Sequence, residues 1–346
     1  MLYSATVMPK VSVSVVVPCL NEEEYIERLL EALRVQDYPL HEVIVVDTGS
    51  ADNSPGVLQT YQARHPEFPL SCLSRPLGNI PDALNAGVAA ATGEIIVRVD
   101  AHSCPIDSYF RKSIEALLET GAGVVGGVWH IAPGGPGSTA RAIVRAAAHP
   151  LGAGDAAYRI GTHAAGRKPV DTVPFGCYRR ATWEKVGGYN ETLLTNEDYE
   201  FNYRVRLGGQ QVILDSDIRC TYIARSTLKE LATQYFRYGW WKAQMLKQHP
   251  RSLRLRQAIP VGFVTTLIVL AIASGFIGLA RWGLSLLIAS YALSLAAASI
   301  RIGDWSTVAV LPAVFATIHF SWGIGMLTNL LTLGRWPKWS RRDRPA

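Results

Sequence analysis

Between Ala258 and Gly334 this 346-residue chain carries only three full charges, Arg281, Arg301 and Asp304. No other stretch constrains the fold as strongly. Residues 258–280 form an uncharged apolar run of bilayer length, roughly 20 residues being enough for one crossing. Residues 283–300 form a second, shorter run, and residues 305–334 a third with Pro312 and His319 inside it. Burying three such helices in succession would need a large soluble protein around them, so membrane insertion is expected. From Met1 to about Arg256, by contrast, charged and apolar residues mix as in a soluble domain.

The net charge of +6 gathers beside the apolar runs. Lys242, Lys247, Arg251, Arg254 and Arg256 precede them, and Arg335, Lys338, Arg341, Arg342 and Arg344 follow. Both clusters favour the cytoplasmic face and anionic headgroups. Three full crossings would put the tail outside, so either residues 305–334 fold back or the tail departs from that rule. A nucleic-acid role is disfavoured, because the charges flank apolar runs and form no stripe on a folded domain. Residues 1–10 hold no apolar core of a signal peptide, so the front domain is expected to stay in the cytoplasm. Cys19, Cys72, Cys104, Cys177 and Cys220 are scattered, odd in number and without a C-x-x-C pair. That argues against a disulfide framework and against a zinc site. The expected organisation is a cytoplasmic domain over 1–225, an interfacial segment over 226–257, membrane helices over 258–334 and a basic cytoplasmic tail over 335–346.

The front domain reads as α/β. Residues 11–18 (VSVSVVVP) and 42–47 (EVIVVD) are β-branched runs of the kind buried on both faces of a sheet. A helix is expected over 22–36, capped by Asn21, with Ile26, Leu29, Leu30 and Leu33 at helical spacing. A second helix starts at Asp52. A strand over 70–75, an alanine-rich helix over 81–92 and a strand over 94–100 complete the series. Strands alternating with helices make a mostly parallel sheet, whose ligands sit at the carboxyl ends of the strands. Asn21, Asp47 and Asp100 all fall there. The turn after the first strand has no glycine and is acidic, so a dinucleotide fingerprint is excluded. Residues 47–52 also suit an ordinary turn and helix cap.

The fourth strand ends in EIIVRVDAHS, residues 94–103. Side chains alternate along a strand, so Asp100 and His102 are expected to point the same way, and a carboxylate with an imidazole is half of a divalent-metal site. The plain alternative is a strand-end acid beside a surface histidine.

Several motifs in order resemble family 2 glycosyltransferases of the GT-A fold: VVVPCLNE at 15–22, VDTGSADNS at 46–54, ALNAG at 83–87 and DAH at 100–102. The resemblance covers residues 11–241. The DAHS ending, with VDTV at 170–173, is most similar to the succinoglycan-type branch, which builds exopolysaccharide units on a lipid carrier. It implies that Pro18, Asn21, Glu22, Ser50, Asn79 and Asp100 line the nucleotide and that Asp47 meets a uracil edge. Asp100 and His102 would hold a divalent metal, Mn2+ or Mg2+, on the diphosphate. His102 stands where the family usually has Asp. Residues 187–208 match the acceptor-side motif, which makes Asp198 the base, with Glu197 beside it. QYFRY at 234–238 is similar to the Q-x-x-R-W motif, which assigns Gln234, Arg237, Tyr238 and Trp240 to acceptor and diphosphate. Tyr238 replaces the motif's Trp and weakens any inference of processive synthesis.

The chemistry agrees with the residue types. Inverting transfer needs a base, a cation for the leaving diphosphate and an in-line arrangement. Asp198 also suits a helix N-terminus, and the two roles are compatible. Arg237 offers a fork for phosphate oxygens. Aromatic residues at 235–241 divide between a membrane interface and sugar stacking. Residues 139–148 read as a small surface helix, or an interfacial one guiding a lipid acceptor. Residues 155–168, with Arg159, His163, Arg167 and Lys168, suit a cover over the diphosphate.

The expected function is transfer of a sugar from a nucleotide donor, UDP first, to a polyprenyl-linked saccharide. Alternatives are a polyprenyl-phosphate sugar synthase, a processive synthase, or a non-catalytic nucleotide-sugar-binding membrane subunit. The set Asp100, His102 and Asp198 argues against an inactive binder. The few spans argue against a polymer channel and a transporter.

Overall fold

The computed structural model describes residues 11–161, 166–302 and 304–334. These form two compact units, one of residues 11–130 and 166–222, the other of residues 131–161 and 223–334.

The first unit begins as four alternating strands and three helices: β1 (Val13–Cys19), α1 (Ile26–Arg34), β2 (Glu42–Asp47), α2 (Ser54–Arg64), β3 (Leu70–Ser74), α3 (Ile80–Ala90) and β4 (Ile95–Arg98). β1 pairs in parallel with both β2 and β4, and β2 with β3. Val15, Val16, Val17, Val43, Val45 and Val46 are wholly buried, as a sheet covered on both faces requires. Then follow β5 (Ser103–Pro105), α4 (Tyr109–Thr120) and β6 (Val124–Ala132). The chain passes into the second unit through α5 (Ser138–Ala147), α6 (Pro150–Ala153) and α7 (Ala157–Ile160). It returns through β7 (Arg167–Pro169), β8 (Cys177–Arg179), α8 (Arg180–Val186), α9 (Glu197–Leu207) and β9 (Val212–Ile223). The sheet order is β3-β2-β1-β4-β8-β6-β9-β5, with β7 on β9. Its β3-β2-β1-β4 part is parallel; β8 joins β4 antiparallel, and β5 and β7 join β9 antiparallel.

The second unit is helical. α10 (Leu228–Gln248), α11 (Leu255–Ala273), α12 (Gly278–Ile302) and α13 (Leu311–Leu331) follow in series. A capping box starts α10, with Thr227 and Glu230 each bonding the other's backbone N–H. Helices α10 and α13 meet backbone to backbone: a Cβ on Gly239 would strike the Trp322 carbonyl, and one on Gly325 the Phe236 carbonyl. Helices α11, α12 and α13 are long and apolar enough to cross a membrane. In α13, 39% of the apolar window is buried, against 11% in the other two, so α13 is the packed helix and α11 and α12 expose their side chains.

The helix bounds differ from the apolar runs. The run at 258–280 straddles the turn between α11 and α12. The second run lies inside a 25-residue helix. Residues 305–334 do not fold back as a hairpin, because α13 is one continuous helix. The basic tail lies outside the described residues.

Candidate active site

At the carboxyl ends of β1 and β2 two loops are tied together by main-chain donors. Asn21 takes φ 58°, a left-handed conformation that asparagine tolerates. Its N–H donates to Ser50 Oγ at 2.9 Å, and its Oδ1 accepts from Ala51 N at 2.7 Å. Asn21 therefore joins the loops and does not cap α1, whose first turn begins at Tyr25. Glu22 N donates to Ser54 Oγ at 2.8 Å, and Glu23 N to Asp52 Oδ2 at 3.0 Å. Asp47 is turned onto its own loop, accepting from Ser50 Oγ at 2.5 Å and Gly49 N at 3.1 Å. Pro18 lies within β1, paired with Val46. Asn79 caps α3 through Asp82 N at 2.9 Å and donates to the Glu191 carbonyl at 3.0 Å. It lines an open groove with Ser74, Arg75, Asp82 and Glu191.

β4 stops at Arg98, and the next residues form a turn in which Ser103 N donates to Asp100 O at 3.0 Å. Strand alternation therefore does not govern Asp100 and His102, contrary to the sequence reading. Asp100 Oδ1 instead receives Arg98 Nε and Nη2, both at 3.1 Å. His102 Nδ1 lies 2.9 Å from Glu22 Oε1. A carboxylate oxygen accepts, so Nδ1 carries a proton, and in the neutral ring Nε2 holds the lone pair. Glu22 is buried, 4% exposed, and stands behind the imidazole, where a nucleotide surface was expected. The His102 ring lies edge-on to Tyr222, which stacks on Trp129 at 4.1 Å.

α9 carries the acids. Asn196, at φ 68°, turns the chain into the helix. Asp198 accepts from Tyr199 N at 2.6 Å, and Glu197 Oε1 lies 2.8 Å from Arg98 Nη2. Burial, then the Glu197 charge, pushes the Asp198 carboxyl up to about 7, against the pull of Arg98. Asp198 keeps part of its surface open while Glu197 is buried. The same helix is anchored by Asn202, which donates to Thr172 Oγ1 and the Val173 carbonyl at 2.9 and 3.0 Å. The Tyr199 hydroxyl reaches Asp171 Oδ2 at 3.3 Å. The VDTV segment therefore serves as the seat of α9.

Arg98 was not singled out in the sequence, although a lone arginine inside an apolar strand is a signal in itself, since buried charges need partners.

The remaining expected site residues lie on α10 in the second unit. Gln234 Nε2 donates to Tyr238 Oη at 3.2 Å. The Arg159 guanidinium lies 5.9 Å from the centre of the Tyr238 ring and donates to Tyr235 Oη at 3.1 Å. Arg237 follows Phe236 on the same helix. Trp240 is wholly buried and stacks near Phe236, so it packs the unit and offers no open face to an acceptor. In the expected cover, Arg167 is instead a strand residue of the first unit, held by Asp215 at 2.7 Å and by Glu119. Lys168 pairs with Leu214 in the same strand, and His163 lies outside the described residues.

Among the described residues no group of three or more His, Cys, Asp or Glu side chains is placed to hold a metal by itself. The residues that would take part in holding an ion are Asp100, bound through Oδ1 to Arg98, and His102, with the buried Glu22 carboxylate behind its ring. Carboxylate-backed histidine is the usual arrangement at a metal.

A half-parallel sheet with polar loops at its strand ends, extended by antiparallel strands, defines the GT-A class of glycosyltransferases. The glycosyl transferase family 2 model matches residues 14–179. Succinoglycan biosynthesis protein ExoA of Rhizobium meliloti is 30% identical over 332 residues, covering 93% of this chain and 96% of that protein. The chain belongs to glycosyl transferase family 2 and is a transferase. A Methanococcus voltae enzyme, named as a dolichyl N-acetylglucosaminyl phosphate diacetamido-dideoxyglucuronosyltransferase, is 25% identical, covering 75% of this chain and 81% of its own. The mannosyltransferase PcManGT of Pyrobaculum calidifontis, solved with GDP-Man and Mn2+, shares the fold with a TM-score of 0.60 at 20% identity. The match covers 93% of this chain and 88% of that one.

Proposed function

We propose that the chain is a membrane-associated inverting glycosyltransferase. It moves a sugar from a nucleotide donor, UDP first among candidates, to a lipid-linked saccharide in polysaccharide or glycoconjugate biosynthesis. One arrangement carries this reading: Arg98 bridges Asp100 and Glu197, which brings Asp198, a carboxyl whose proton affinity burial and Glu197 raise, beside the carboxylate at the end of β4. A base that exchanges its proton near neutrality suits removal of a hydroxyl proton from an acceptor. Names of two relatives support the acceptor, one being a succinoglycan protein and the other a dolichyl-linked transferase.

In this reading Asp198 takes the proton of the attacking hydroxyl. Asn202 and Tyr199, seated on residues 171–173, keep α9 and its carboxylate in place. Asn21, Asp47, Ser50 and Asn79 bound the nucleotide side, and Glu22 orients His102. Asp100 and His102 would hold a divalent cation, which when bound neutralises charge on the leaving diphosphate. Gln234, Arg237 and Tyr238 serve the acceptor side. On this reading the donor is a cytosolic nucleotide sugar, with residues 1–225 in the cytoplasm, residues 226–257 at the interface and the three apolar helices in the bilayer.

Membranes carrying the protein, given a panel of nucleotide sugars with and without Mn2+, should transfer one sugar to lipid extract in a metal-dependent way. Full transfer by Asp198→Asn would overturn the base assignment. Label released into free sugar, with none in lipid, would overturn the acceptor.

A further inference from the structure

Strand β4 reads Ile95, Ile96, Val97, Arg98, and all four side chains are buried, Arg98 being only 5% exposed. A buried ion pair is seldom retained for stability, because apolar residues of similar volume serve as well or better. The pairing here is also incomplete: Arg98 Nη1 is buried with no acceptor. A donor left in that state weakens the fold. Stability is therefore a poor account of this arginine.

Its contacts offer a better one. Nε and Nη2 hold Asp100 Oδ1, and Nη2 also reaches Glu197 Oε1 at 2.8 Å. One planar guanidinium thus touches the donor-side carboxylate and the first residue of the helix that bears Asp198. We propose that Arg98 is a positioning residue that locks Asp100 and the first turn of α9 into one frame, and so sets where Asp198 stands relative to the donor. This rests on the roles given above to Asp100 and Asp198.

Two consequences separate positioning from mere structure. Lysine keeps the charge but not the fork, and one ammonium cannot reproduce the three contacts. Loss of the charge altogether leaves Asp100, Glu197 and Asp198 facing one another, with Tyr189, Tyr178, Tyr109 and Cys220 the neighbouring groups that can also titrate. Asp198 then holds its proton to higher pH. Loss of Glu197's charge acts the other way.

The test uses the full-length protein in membranes or detergent, with transfer measured across neutrality and nucleotide binding followed by thermal shift. Arg98→Lys should bind UDP with a KM for the nucleotide sugar changed by less than about threefold. Its kcat should fall by about 10²-fold, the order expected for a catalytic group displaced by an ångström. Arg98→Met should move the acid limb of kcat up by about one pH unit, and Glu197→Gln should move it down. Full kcat in Arg98→Lys, or unmoved acid limbs in Arg98→Met and Glu197→Gln, would overturn the proposal. Should Arg98→Met fail to fold, Glu197→Gln decides, since it breaks the bridge without touching β4. Asp198→Asn run in parallel keeps the two readings apart. If it is inactive while the bridge variants behave as wild type, only the positioning role fails. If it is active, the base assignment itself fails.

Discussion

The two units bury charge in opposite ways. In the helical unit Lys242 is 1% exposed, and its Nζ donates to the Ser252 carbonyl at 2.9 Å and to Ser252 Oγ at 3.0 Å. Both are neutral oxygens of one residue, and they fasten α10 to the turn before α11. In the sheet unit three carboxylates gather around one arginine that still has an unmet N–H. The first arrangement closes on itself and does the work of packing. The second is left under electrostatic tension, with a carboxyl whose proton is loosely decided near neutrality, and such imbalance is found where chemistry is done. The difference teaches which buried charges to disturb, and in which assay.

The largest effect is expected at Asp198. Asp198→Asn should lower transfer by about 10²–10⁴-fold, the usual worth of a positioned proton acceptor, with nucleotide binding retained. In the wild type the rate should fall as pH drops through about 7, as this carboxyl takes up its proton. Stability should show the opposite trend. The folded carboxyl keeps its proton up to about 7, whereas the unfolded one releases it near 3.8. Between those values the folded state binds more protons, so stability falls as pH rises across that window. Asp198→Asn should therefore melt higher than wild type above neutrality, and the two should converge in acid. Equal melting curves at pH 8 and pH 5 would place Asp198 with the quiet charges of the other unit.

Much of the architecture was legible because it depends on local pattern. β2 spans Glu42–Asp47 as its β-branched run requires, and the α1 face of Ile26, Leu29, Leu30 and Leu33 is buried as spaced. The boundaries that moved did so for reasons across the fold. α1 starts at Ile26, not at Glu22: residues 22–25 form a turn in which the Glu22 carbonyl accepts from Tyr25 N and Ile26 N, tied by the N–H groups of Glu22 and Glu23 to Ser54 and Asp52 in the next loop. β4 ends at Arg98 because Asp100 and Ser103 close a turn. The role of Arg98 was invisible in one dimension, since its meaning lies in Glu197, far along the chain. Asp198 is a candidate through a motif alone; its raised proton affinity depends on the burial and neighbours that only the fold supplies.

A Cβ placed between α10 and α13 should come next in size. Gly325→Leu must separate the helices, since there is no room beside the Phe236 carbonyl. Overpacking of this sort costs about 1–3 kcal/mol or more, read as a lower melting temperature in detergent. Unchanged melting would show that the close approach contributes nothing to the second unit.

Lys242→Met is the control that sharpens the contrast most directly. Methionine fills much of the volume, and Met245 already lies against the lysine, so little packing is lost. The Ser252 carbonyl and hydroxyl lose their donor, which should cost about 1–3 kcal/mol. Lys242 bonds Ser252 and touches Met245, all within the helical unit, so the pH dependence of transfer should stay where it is in the wild type. A shifted acid limb in Lys242→Met would mean that its charge reaches the reaction after all, and the division between a packing charge and a working one would fall.

The smallest effect belongs to Arg145, which pairs with Asp304 at 2.8 Å, each side chain about a third exposed. Pairs so placed in water are worth about 0–1 kcal/mol. Arg145 Nη1 also donates to the Ile302 carbonyl at 2.9 Å, just where α12 ends and its last carbonyls lack helical partners. Arg145→Gln keeps a donor for that carbonyl and removes only the charge. It should change melting by no more than the ion pair is worth, and that change should shrink further in high salt. A loss several times larger, insensitive to salt, would place the pair in a low-dielectric setting, and α5 would then lie at the depth of lipid, as the interfacial reading of residues 139–148 requires.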